Sequence, residues 1–176
     1  MTGHTLKTPG EAGLDFDPEE SGATFMDNAL IKARALHALV GEPVVADDSG
    51  ICVDALGGRP GVLSARYGSM DGKKISSTER NMLLLKELGD SRERSARFVC
   101  AMVLYMGGDR FYAVQETMEG RLYDREQGSA GFGYDPILYI PRLGRTVAQL
   151  DEDEKNALSH RGKAGRGIRI FLDSLR

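Results

Sequence analysis

The stretch VVADDSGICVDALGGRPG, Val44 to Gly61, sets a short apolar run against two adjacent carboxylates, Asp47 and Asp48, and then breaks into turn chemistry. Pro43 to Ala46 reads as a short buried strand that delivers the acidic pair at its C-terminal end, and GGRPG reads as a turn cluster. Taken alone, Asp-Asp-Ser-Gly is also good turn and N-cap material. Position argues for more. In α/β sheets ligands gather beyond the C-terminal ends of strands, and two unpaired carboxylates there are costly unless a cation neutralises them. A hard, oxygen-seeking ion such as Mg2+ would do so.

Working outward, Phe25, Ala29, Ala33, Leu36 and Val40 recur at helical spacing, so a helix is expected from about Thr24, a capping residue, to Val40, with Gly41 ending it. The residues before it, rich in Gly, Pro and acid, read as loop with at most a short extended piece around Thr5 to Lys7. A second helix is expected over Thr78 to Leu88, with Met82, Leu85 and Leu88 on its apolar side. Arg97 to Met106 and Phe111 to Met118 read as strands joined by a GGD hairpin, the second extending towards Tyr123. Ile137 to Ile140 is one more apolar run, followed by an acidic helix from about Asp151 and a terminal helix from Ser159 to Leu175, weakened by Gly162, Gly165 and Gly167. The alternation says α/β, with a mixed sheet because of the hairpin.

The bulk numbers bound the function. The 176 residues, 41% hydrophobic and 28% charged, suit one soluble domain with its own core. A net charge of −3 supplies no global field for nucleic acid, so an anionic ligand must meet a local basic cluster. Cys52 and Cys100 form no C-x-x-C pair and read as small buried residues. No apolar segment is long enough to span a bilayer and no signal-peptide pattern opens the chain, so a cytoplasmic protein is expected.

Three further segments carry chemistry-bearing residues. Glu19 and Glu20 precede the first helix, where they also suit its dipole, and Lys32 lies beside that helix's apolar stripe, where it also reads as a snorkelling lysine. In GSAGFGYDP the glycines allow close backbone approach to a ligand, while Phe132 and Tyr134 offer flat faces for a purine. In EKNALSHRGKA, Ser159 caps the last helix and puts His160 and Arg161 in its first turn, where a basic pair opposes the dipole; Lys155 lies one turn upstream. His4 and His37 read as loop and helix-surface residues. Together these segments supply carboxylates for a metal, lysines for phosphates, a stacking ring and a donor pair for a base edge. They make a nucleotide site.

From about Gly13 to its end the chain resembles the inosine triphosphate pyrophosphatases, through SGATFMDNALIKARA (21–35), ADDSGICVDALGGRPGVLSARY (46–67), GFGYDP (131–136) and DEKNALSHRGKA (153–164). The resemblance implies an elongated mixed α/β fold with the active-site cleft between two lobes, and a homodimer. It implies Mg2+-dependent hydrolysis of ITP, dITP or XTP to monophosphate and pyrophosphate. Asp48 matches the general base and a metal ligand, Glu20 a metal ligand, Lys32 the phosphate pocket, and Ser49 a substrate contact; Asp47 is expected to help Glu20 and Asp48 hold the Mg2+. Phe132, Gly133, Tyr134 and Asp135 match the segment holding the nucleoside, and Lys155, His160 and Arg161 the residues around the base. That family opens with a strand and a Ser/Thr-x-Asn-x-x-Lys phosphate loop, and neither is expected in this chain, which begins Met1-Thr2-Gly3-His4. Arg161 only donates hydrogen bonds, so it suits a 6-carbonyl and rejects adenine's amino group, but does not explain how guanine is excluded. Two alternatives accompany this reading: a Maf-like pyrophosphatase acting on modified pyrimidine nucleotides, and a non-catalytic nucleotide-binding protein.

Overall fold

The computed structural model describes residues 5–69 and 75–175; His4 lies outside them. Helix α1 (Phe25–Val40) starts where Thr24 leaves its backbone extended and accepts a hydrogen bond from the Asp27 N–H, with Asp27 accepting one from Thr24 in return. It stops at Gly41, whose φ of 71° a side chain would disfavour. Helix α2 (Ser77–Leu88) carries the same reciprocal cap between Ser76 and Glu79. Its buried face is Asn81, Leu84 and Leu88. Met82, expected inside, is exposed.

Strand β1 (Val44–Val53) is longer than its apolar opening. It runs straight through the acidic pair and pairs antiparallel with β2 (Ser95–Tyr105), Asp47 opposite Met102 and Asp48 opposite Ala101. The aspartates therefore sit inside a strand, not at its end, so the strand-end rule is not what collects ligands here. β2 turns through Gly107, Gly108 and Asp109 into β3 (Phe111–Leu122), which pairs with β4 (Leu138–Ile140), itself paired with β5 (Arg145–Thr146). The expected α/β architecture with flanking helices forms. Every pairing among the described strands is antiparallel, so the parallel pairing implied by a mixed sheet does not occur among the described residues. Helices α3 (Glu152–Leu158) and α4 (His160–Ser174) close the chain.

Side chains alternate across the three long strands. Val44, Val99, Ala101 and Val103 pack with Phe25, Ala29 and Ala33 of α1. Cys100, Met102 and Leu104 face the other way, onto Ala164 and Ile168 of α4. The far ends of the same strands, Ile51, Val53, Phe98 and Met118, close against Leu84 and Leu88 of α2 and against Tyr134, Ile137 and Leu138. Each fully buried side chain such as Leu84 contributes about 1.5–3 kcal/mol of transfer free energy. Three apolar clusters thus share one set of strands, and the acidic pair lies on β1 between Val44 of one and Ile51 of another.

Candidate active site

Adjacent strand residues point to opposite faces, and this separates the two aspartates. Asp48 turns to the α1 side, where Asn28 Nδ2 donates to its Oδ2 at 3.0 Å and Lys32 Nζ stands 3.5 Å from its Oδ1. The same ammonium lies 2.7 Å from Glu20 Oε1. Asn28 is fully buried and spends its own Oδ1 on the Gly22 N–H at 2.8 Å, which ties the loop carrying Glu20 to the helix. Burial pushes the Asp48 carboxyl above the ordinary 3.8; the Asn28 hydrogen bond and the Lys32 charge pull it back, and Glu20 pushes it up again. The result is a buried carboxylate more basic than a surface aspartate.

On the opposite face, Asp47 Oδ2 accepts from Arg161 Nε at 3.0 Å and from the Ser49 hydroxyl at 2.9 Å, with Arg161 Nη2 at 2.9 Å. Asp47 is therefore no partner of Glu20 and Asp48, and its expected part as a third metal oxygen is corrected by the alternation of the strand. Ser49, expected against substrate, has its hydroxyl committed to Asp47 and its N–H to Asp48 Oδ1.

The last two helices meet at Ser159, which ends α3 and caps α4 by accepting from the Gly162 N–H. A Cβ at Gly162 would fall 1.9 Å from Asn156 O, so only glycine lets the helices meet this closely. His160 stacks on Phe98, with ring centroids 4.9 Å apart. Burial first, and the Arg161 charge second, lower its pKa to about 4, so its imidazole is neutral at pH 7. Its Nδ1 is buried with no hydrogen-bond partner among the described residues. Arg161 and Lys155 approach the exposed ring of Phe132, Lys155 Nζ at 4.7 Å and Arg161 Cζ at 5.9 Å from its centroid. Lys155 is held by buried Asp135 at 2.6 Å, and Asp135 also accepts from the Phe132 N–H.

A ring platform flanked by two cations stands on one side of β1, with neutral His160 next to one of them in sequence, and two carboxylates around a lysine stand on the other. With that geometry in view, the whole-chain comparison is decisive: the model of the Ham1 family matches residues 2–171. The chain belongs to the Ham1 family. Among curated relatives, the dITP/XTP pyrophosphatase of Treponema denticola is 49% identical over 172 residues, covering 98% of this chain and 89% of the relative. That of Pectobacterium atrosepticum is 42% identical over 168 residues, covering 94% and 83%. Among solved structures, the Ham1 protein of Staphylococcus aureus matches with a TM-score of 0.86 at 40% identity, over 92% of this chain and 83% of that one. The resemblance to the inosine triphosphate pyrophosphatases is borne out.

Within this Ham1 chain the fold gathers Glu20, Lys32 and Asp48 in one cluster and Phe132, Asp135, Lys155, His160 and Arg161 in another. Gly133, at φ 61°, gives its carbonyl to Asn81 Nδ2 at 3.1 Å and so fixes the loop rather than facing a ligand with that atom. Tyr134 is corrected. Its ring is buried in the core and its hydroxyl donates to Ser64 O at 2.9 Å, so it anchors the loop and offers no face to a purine. Two residues were missed. Asn28 falls on the apolar stripe of α1 one turn before Lys32, and a polar residue on a buried stripe is the signal that marks it. Arg66 donates to Glu20 O at 3.3 Å and adds a second cation beside Lys32; its position in SARY gave no local sign of this.

Proposed function

We propose that this chain hydrolyses non-standard purine nucleoside triphosphates, ITP, dITP and XTP, to the monophosphate and pyrophosphate. The observation that carries the reading is the pairing of a buried carboxylate, Asp48, with a separate cation-flanked ring platform, Phe132. Names of the curated relatives, dITP/XTP pyrophosphatases, support it, and they favour neither the Maf-like reading nor a purely binding role.

The base stacks on Phe132, and Arg161 donates to its 6-carbonyl. Neutral His160, whose Nδ1 is buried without a hydrogen-bond partner among the described residues, lies beside Arg161 in the same helical turn. Lys32 and Arg66 bind phosphate oxygens. Asp48 accepts a proton from a water whose oxygen forms a bond to the α-phosphorus, while the bond from that phosphorus to the pyrophosphate oxygen breaks and pyrophosphate leaves with its electron pair. No covalent intermediate is required.

Glu20 and Asp48 fit a divalent cation. They present oxygen donors around a position that already attracts the positive charge of Lys32, and no group of three or more His, Cys, Asp or Glu gathers among the described residues. Two carboxylates, with water and substrate phosphates completing the shell, is the habit of Mg2+. When bound there, Mg2+ supplies charge neutralisation of the phosphates and polarisation of water. Homodimerisation is proposed on the family resemblance and on the exposed apolar side chains Met82 and Leu83 of α2. A nucleotide-pool substrate and two free thiols, Cys52 and Cys100, support a cytoplasmic setting.

The test is pyrophosphate release from ITP, dITP, XTP, ATP, GTP and modified pyrimidine triphosphates with and without Mg2+. Preference for the first three sustains the proposal. Preference for a pyrimidine, or binding of ITP without release, would overturn it.

A further inference from the structure

Asp47 sits beside the proposed catalytic base and yet faces away from it. Its Oδ2 gathers four donor atoms: Arg161 Nε at 3.0 Å, Arg161 Nη2 at 2.9 Å, the Ser49 hydroxyl at 2.9 Å and the Cys100 thiol at 3.8 Å. Two nitrogens of one guanidinium on one oxygen fix the plane of the group, because the fork is rigid. The remaining N–H donors of Arg161 point away from Asp47, and its Cζ lies 5.9 Å from the Phe132 ring centroid. Arg161 is half-exposed, and an arginine in that position has many rotamers to lose on binding. A carboxylate that holds it beforehand removes that cost and sets the direction of the free donors.

We infer that Asp47 is a positioning residue for base selection: through its ion pair with Arg161 it aims the guanidinium at the 6-position of the purine, and it takes no part in metal binding or hydrolysis. The inference rests on Arg161 being the reader of the base edge. Strand alternation then gives the acidic pair a division of labour. Asp48 acts at phosphorus and Asp47 acts, through Arg161, at the base.

The test compares kcat/KM for ITP and ATP in Asp47→Ala, Asp47→Asn, Arg161→Ala and the Asp47→Ala/Arg161→Ala double variant, with melting temperatures for each. Asp47→Ala should lower the ITP/ATP ratio by about tenfold or more, chiefly through KM for ITP, since misaiming a donor forfeits its discrimination. Asp47→Asn, which keeps an acceptor, should recover part of the ratio. In the Arg161→Ala background, Asp47→Ala should change the ratio no further, because residues acting as one unit are not additive. An unchanged ratio in Asp47→Ala beside a collapsed one in Arg161→Ala would overturn the positioning role and leave the base-reading role standing. An unchanged ratio in Arg161→Ala would sink the base-reading role itself. Arg161→Lys, at a half-exposed position that tolerates replacement, keeps the charge and loses the fork. It should lose discrimination too, and full retention would overturn the inference independently of how the Asp47 variants fold.

Discussion

Acid should destabilise this protein through one imidazole. His160 has its pKa lowered from 6.5 to about 4 in the folded chain, by burial first and then by the Arg161 charge. Between these values the unfolded chain binds a proton that the folded chain refuses. Stability therefore falls as pH drops from 6.5, and the whole contribution is gone below about 4. The gap, at about 1.36 kcal/mol per pH unit, amounts to roughly 3 kcal/mol. For a chain of this size that is a drop in melting temperature of about 6–12 °C. Other groups move in the same range. Asp48, with its pKa raised, acts in the opposite sense and adds stability as pH falls through its folded value. The lowered carboxyl of Glu154 loses stability as pH falls below 4.5. His160→Phe isolates the imidazole, since a phenyl ring keeps the stack on Phe98 and cannot take a proton. Urea melts of both proteins in EDTA, from pH 7 to pH 4, should give a difference that grows by roughly 3 kcal/mol in favour of the variant. A difference that stays flat across that range would refute the reasoning, because His160 would then titrate alike in both states.

Asp48→Asn should lower kcat by about 10²–10⁴ with the melting temperature nearly unchanged; a mild loss of activity with a large thermal loss would make Asp48 structural. Gly131→Ala should weaken both stability and ITP binding, because its Cβ would sit 2.1 Å from Asp135 Oδ2 and 2.8 Å from Lys155 Nζ, at a φ of +78°. The left-handed backbone alone costs about 1–2 kcal/mol, readable in urea melts, and unaltered KM for ITP would separate that loop from the base. Lys155→Met should cost about 3–5 kcal/mol by leaving a buried carboxylate uncompensated, and adding Asp135→Asn should restore part of it. Light scattering on the eluting protein should give twice the chain mass, and Met82→Glu with Leu83→Glu should halve it if α2 lies in the interface.

Local chemistry was legible where local chemistry decides. Thr24 and Gly41 bracket α1 as their cap preferences require, and the GGD turn places the hairpin. Strand β1 was read too short because Asp-Asp-Ser-Gly has turn propensity, and that propensity is overridden by partners distant in sequence. Asn28, Lys32 and Arg161 satisfy the polar side chains that would otherwise break the strand. The same limit governs the aromatic loop. Phe132 and Tyr134 are equivalent in composition, and only the packing of Tyr134 against the core and Ser64 tells the platform from the anchor. Resemblance named Asp48 alone as base and metal ligand, and Asp47 entered as its helper because the pair was read at a strand end. A period-two alternation, which needs only the knowledge that the segment is a strand, would have parted them.

Between α3 and α4 a single residue, Ser159, serves as the terminus of one helix and the cap of the next, with Gly162 seated against Asn156. Mechanically this is an elbow without slack. The joint fixes the backbone spacing between Lys155 on one arm and His160 and Arg161 on the other, so on the proposed reading of the base none can follow a base that fits poorly. A flexible joint would let the arms close around adenine or a pyrimidine and recover contacts one by one. With no slack at the joint, the proposed base-binding site would offer a nucleobase all three side chains at one spacing or none of them.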